Sequence, residues 1–124
     1  MAYGEEARQS AAARKRWRDA RVFQADVQTV LAGLSIQFME WLLLETLQEL
    51  IDETGDAVSQ STIAERAGLT RKVASYWLIM MSETALVDRG PCCEGTAWRV
   101  ILTEMGERTL LACNERLERA GLTG

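Results

Sequence analysis

Arg71, Lys72, Ser75 and Tyr76 bring two cations and two hydroxyls together within two helical turns, directly after a turn at Gly68. Cations in a first helical turn can reach guanine edges or phosphates, and the helix N-terminus itself favours phosphate. Hydroxyls one turn on can donate hydrogen bonds to phosphates or bases. The pattern implies a reader of double-stranded DNA, with Thr70, Arg71, Lys72, Val73, Ser75 and Tyr76 forming the groove-facing flank. Arg89 and Arg99 flank a turn-rich stretch, Gly90 to Thr96, and could enter a minor groove or clamp a phosphate; the alternative is that both are exposed strand charges, and strand alternation leaves the direction of Arg99 open. The plain alternative is a short amphipathic helix with solvated charges. The succession of helix, turn, helix and hairpin favours the reader.

Other chemistries lack their residues. The chain has no histidine, so imidazole catalysis, Cys/His zinc sites and Ser-His triads are excluded. No paired carboxylates, ligand cluster or Gly-rich phosphate loop stands out, so no catalytic residue, metal or cofactor is expected. Cys92, Cys93 and Cys113 make a poor disulfide framework, because they are odd in number and two are adjacent. An adjacent pair closes only a strained ring, and Glu94 beside it would not lower a thiol pKa. Cys92 and Cys93 are therefore read as small loop residues rather than a redox or metal sensor. Cys113, among Leu110, Leu111 and Ala112, is read as a small hydrophobe.

The elements that position the reader can be traced from periodicity and caps. Ser59 caps a short helix carrying Ile63, Ala64 and Ala67, and small Ala64 and Gly68 permit close helix approach. Thr70 caps the second helix, whose buried face should be Ala74, Trp77, Leu78 and Met81. Ile79 and Met80 then fall on the outer side, where extra packing is expected to cover them. Leu86 and Val87 begin a first wing strand, Gly90 to Gly95 form its tip, and Trp98 to Leu102 return. Upstream, residues 5–32 read as a helix with Trp17, Val22, Phe23, Val27, Val30 and Leu31 at helical spacing. Ser35 is the expected N-cap of a further helix ending at Thr54-Gly55, apolar over much of its circumference and so covered from several sides. Trp17, Phe38, Trp41 and Trp77 are taken to fill the core rather than line a ligand pocket. Thr103 caps a last helix, roughly 104–120, with Met105, Leu110, Leu111 and Leu117 apolar.

The net charge of −4 argues at first against a nucleic-acid partner, but the charge is uneven. Residues 22–69 hold one basic and eight acidic groups, whereas residues 70–100 hold four basic and three acidic. Affinity for DNA depends on local contacts with phosphates, so the balance leaves the reading standing. No apolar run approaches a membrane span and no signal peptide is visible, so a cytoplasmic protein of one domain-sized unit is expected.

Leu34-Ser35, Ser59-Gln60-Ser61 with Ile63-Ala64-Glu65-Arg66, Leu69-Thr70-Arg71, Ala85 to Arg89, and Val100 to Gly106 together resemble the MarR family of winged-helix transcription regulators, over about residues 34–110. The resemblance implies a mostly α fold, a winged helix-turn-helix with a small two-stranded β-wing and N- and C-terminal dimerisation helices. It divides the chain into a dimerisation segment 1–34, a DNA-binding domain 35–103 and a C-terminal helix 104–124. It further implies a homodimeric repressor on a pseudo-palindromic operator, and many such proteins answer a small-molecule effector held between the dimer helices and the DNA-binding lobes. Three departures matter. The family's wing Asp-x-Arg corresponds to Glu94 and Thr96, which moves that role toward Arg89 or Arg99. The usual Gly after the recognition helix is Ala85, and a frequent charged pair is Ile79 and Met80. With a short C-terminal region, the dimer interface should lean on Trp17, Val22, Phe23 and Val27. The rival expectation is a winged-helix interaction module that has lost DNA binding and docks a protein through Tyr76, Ile79 and Met80.

Overall fold

A computed structural model of the chain describes residues 2–91 and 98–123, with backbone alone for residues 2–7 and 9. Its elements are α1 (Ala2–Ala32), α2 (Phe38–Thr54), β1 (Val58–Ser59), α3 (Gln60–Ala67), α4 (Arg71–Glu83), β2 (Val87–Pro91), β3 (Trp98–Leu102) and α5 (Glu104–Arg119). The fold is mostly α with a winged helix-turn-helix, as expected. Among the described residues, no helix is long and apolar enough to cross a membrane.

α2 is the hub. Leu43, Leu44 and Leu47 are fully buried and Trp41 and Leu50 nearly so, because α1, α3, α4 and α5 all pack around this one helix. Each such leucine contributes about 1.5–3 kcal/mol by leaving water. Trp41 needs a polar partner once buried, and its Nε1 donates to Asn114 Oδ1 on α5 at 2.9 Å. From the other side, Val27 and Leu31 of α1 and Leu110, Cys113 and Leu117 of α5 complete the same cluster. On α3, Arg66 donates to both Glu49 and Glu53 of α2, and this pairing holds the Glu53 carboxyl below its ordinary pKa.

Several expectations are corrected. The expected two-stranded wing, β2 paired with β3, is present, but β1 extends it to three antiparallel strands in the order β1-β3-β2, with Val58 opposite Val100 and Val87 opposite Leu102. The added strand is two residues long, too short to alternate visibly, and Ser59 ends it while capping α3. Ser35 does not cap α2: it sits at φ 57 in the connecting turn, and Gln37 is the N-cap. The first turn of α2 is satisfied from α1, where Gln28 Oε1 accepts from Phe38 N at 2.7 Å. Val27 is fully buried within the protomer and cannot belong to a dimer interface, since α2 and α5 already cover it. Trp17 is not core: it is 64% exposed, with the Arg21 guanidinium 5.4 Å from its ring centroid. Met105 and Leu111 lie exposed on the outer side of α5, opposite buried Leu110 and Leu117.

The wing is tied to α5 by close backbone contact. Thr103 caps α5 through Gly106 N at 2.9 Å, and its hydroxyl reaches the Ala85 and Leu86 carbonyls. A Cβ at Gly106 would lie 2.0 Å from the Leu86 carbonyl oxygen, so only glycine lets the first turn of α5 rest there.

Candidate nucleic-acid interface

The turn between α3 and α4 is built from capping chemistry. Gly68 takes φ 72, and the N–H groups of Gly68 and Leu69 return to the Glu65 and Ala64 carbonyls at 3.2 and 2.9 Å. Two residues on, Thr70 Oγ1 accepts from Val73 N at 3.2 Å, which starts α4 with its axis fixed by the preceding helix. Ala74, Leu78 and Met81, spaced four and three apart, turn one side of α4 fully into the core. The outward side follows necessarily. Lys72, Tyr76, Ile79 and Glu83 run straight down it, all exposed, with Val73 on one flank and half-buried Ser75 on the other. Arg71 projects exposed from the first residue of the helix.

Arg71 and Lys72 take no part in the ion pairs formed among the described residues, which join Lys15 to Asp19, Arg66 to Glu49 and Glu53, and Arg108 to Glu104. Tyr76 is 59% exposed, and its ring meets Trp77 edge-on, with centroids 5.6 Å apart at 88°. Trp77 is half-buried against the core, so the tyrosine ring has a fixed backing. The side chain can therefore present its hydroxyl outward without a wide search of rotamers.

The two wing arginines make contacts within the fold. Arg89 is half-buried: its Nε donates to Gln60 Oε1 at 2.8 Å and its guanidinium carbon stands 3.9 Å from the Trp98 ring centroid. Burial lowers its pKa from the ordinary arginine value. This arginine braces β2 against the start of α3 and against β3. Arg99, exposed on β3, donates from Nη1 to the Ala57 carbonyl at 3.0 Å, back toward β1. Both contacts join elements distant in sequence, and strand alternation gave no sign of them. Cys92, Cys93, Glu94 and Thr96, which include the positions matching the wing Asp-x-Arg, lie outside the described residues.

Two further sets of expected residues separate. Ile79 and Met80 gain no extra packing: they stand 38% and 42% exposed, continuing an apolar strip from Val73 and Tyr76. Trp17, Val22 and Phe23 stand exposed on α1, N-terminal to the buried Val27 and Leu31 that anchor the helix. Of the four aromatic residues expected in the core, Trp41 is buried there and Phe38 and Trp77 pack half-buried against it. Open clefts lie beside α5, one of about 510 Å³ lined by Thr29, Val30, Gly33, Arg116, Arg119 and Ala120. Among the described residues, no group of three or more Cys, Asp or Glu side chains is placed to hold a metal.

No protein-family model matches the chain, and no curated protein matches it. Solved structures do. Overoxidized AbfR bound to DNA superposes with a TM-score of 0.84 at 16% identity, over 97% of this chain and 85% of that one. The transcriptional regulator MosR of M. tuberculosis, in complex with DNA, gives 0.73 at 18% identity, over 89% and 77%. AbsC, a MarR family transcriptional regulator from Streptomyces coelicolor, gives 0.72 at 20% identity, over 89% and 76%. At such identities the likeness establishes the fold, and the chain has the winged-helix fold of MarR-type regulators.

Proposed function

We propose that the protein is a sequence-specific DNA-binding transcription regulator acting as a homodimer, with α4 as its reading helix. The observation that carries this is the outward flank of α4: Arg71, Lys72 and Tyr76 exposed on a helix whose opposite side is locked into the core. Support comes also from the DNA-bound state of structures sharing the fold, AbfR and MosR. In the complex, Thr70, Arg71, Lys72, Val73, Ser75 and Tyr76 face base edges and phosphates of a major groove. Arg89 and Arg99 steady the wing beside the backbone. Symmetry of a dimer then sets two half-sites about one helical turn apart on a pseudo-palindromic operator. Repression follows from competition with polymerase for promoter DNA, in the cytoplasm, and no step of it requires catalysis. A small-molecule effector, where one acts, would bias the relation between the dimer helices and the reading helices.

Arg71→Ala and Lys72→Ala test the assignment against DNA upstream of the protein's own gene. Loss of Arg71 should weaken binding about tenfold or more, in the range of a bidentate base contact. Loss of Lys72 should reduce the salt dependence by about one unit of slope per phosphate contact removed. A second reading has its own observation, the exposed Tyr76, Ile79 and Met80 strip, which suits a protein partner. Under that reading both substitutions would leave DNA affinity unaltered and negligible, and the DNA-binding assignment would fall.

A further inference from the structure

Among Thr70, Arg71, Lys72, Val73, Ser75 and Tyr76, Val73 alone has a side chain that offers no hydrogen bond and no charge, and it is nonetheless 40% exposed. Its backbone position is pinned, because its N–H closes the Thr70 cap at 3.2 Å. A β-branched side chain in a helix is held largely in one χ1 rotamer, so Val73 is a rigid apolar knob. Tyr76, one turn on, stands on the same flank with its ring backed by Trp77. Arg71 and Lys72 precede the knob directly, which makes phosphate-rich DNA a better charge match for this flank than an apolar protein groove.

Within a major groove, most of what the base edges present is donors and acceptors. An apolar knob set against those would shield them from water without replacing their hydrogen bonds, at a cost in free energy. One group in the groove suits it, the C5-methyl of thymine. We propose that Val73, flanked by Tyr76, reads a thymine methyl group, so that each bound half-site carries thymine at the base pair facing Val73. This rests on the DNA-binding reading above and adds the base class that the flank selects.

The test uses the full chain and a randomised 25-base-pair duplex library, enriched by repeated binding and then resynthesised with deoxyuridine replacing thymidine one position at a time. That change deletes a single methyl group and leaves the pairing intact. For the wild-type protein, uracil at one position per half-site should weaken binding about fourfold, the worth of one buried methyl group, and about fifteenfold when both half-sites carry it. Val73→Ala should bind the thymine duplex correspondingly more weakly and lose most of its sensitivity to uracil at that position. Its thermal midpoint should stay near the parent's, as expected at a solvent-facing position. An enriched duplex indifferent to uracil everywhere, or one whose uracil sensitivity Val73→Ala retains in full, overturns the inference and leaves the DNA-binding reading intact. Failure to enrich any duplex overturns both.

Discussion

Cys113 shows how one residue can carry a readout of the whole core. Its thiol is fully buried, and that burial, with the Glu40 and Glu45 carboxylates adding to it, pushes the pKa up to about 11. In an unfolded chain the thiol ionises near about 8.5. The raised value stabilises the fold fully below the unfolded pKa, and that contribution is lost as pH climbs toward the folded one, because the unfolded chain gives up its proton first. In a Cys92→Ser/Cys93→Ser background, the denaturation midpoint should therefore fall between pH 8 and pH 10.5, and fall less steeply in Cys113→Ala. A thiol reagent at pH 8 should label Cys113 only when denaturant is present. Rapid labelling of the folded protein would show that the α2–α5 packing around Cys113 opens far more readily than its burial indicates.

At the scale of elements, Ala85 ends the reading helix in a conformation that favours glycine. It takes φ 64 in a Schellman arrangement, with its own N–H on the Ser82 carbonyl at 3.2 Å and that of Leu86 on Met81 at 2.9 Å. A left-handed alanine costs about 1–2 kcal/mol relative to its preferred region, partly offset on substitution by the greater chain entropy of glycine. Ala85→Gly should accordingly raise stability by about 1 kcal/mol in chemical denaturation, with DNA affinity unchanged; a lower midpoint would mean that the Ala85 methyl makes a packing contact worth more than the strain. The same turn marks what periodicity could and could not reveal. Helix ends written in local chemistry were readable residue by residue: Gly55, Gly68, Thr70 and Thr103 all do what their types suggest. Ser35 misled because it turns at φ 57 ahead of α2, whose cap is Gln37 with Glu40 accepting from its N–H at 2.9 Å, while Gln28 of α1 accepts from Phe38 N. β1 escaped notice since two residues cannot show alternation, and the Arg89–Gln60 and Arg99–Ala57 bonds span 29 and 42 residues. The reading flank itself was accessible from sequence because a core face spaced three and four apart leaves only one side for Lys72 and Tyr76.

For the whole molecule, the unresolved demand is made by α1. Every residue from 10 to 26 is exposed, whereas Val27 and Leu31 are anchored in the core. A helical arm of that length gains little from its own hydrogen bonds in water and is marginal without packing. Trp17, Val22 and Phe23, at 64%, 59% and 38% exposed, are the apolar groups through which packing would stabilise it. The second copy proposed above would supply that cover, and the charge pattern suits it: residues 1–21 carry six basic and three acidic groups, whereas residues 22–69 carry eight acidic groups and one basic. Replacing Trp17 and Phe23 together by Asp should convert a dimer into a monomer in sedimentation velocity. Helix content should drop only by the share of the arm, since Leu43, Leu47 and Leu117 still hold the rest. DNA affinity should fall much more, by a factor of about 10² or greater, because two reading helices in one body bind their half-sites at high effective concentration and separate protomers do not. An unchanged sedimentation coefficient, with affinity also unchanged, would place the dimer contact elsewhere and leave the exposed arm to a different partner.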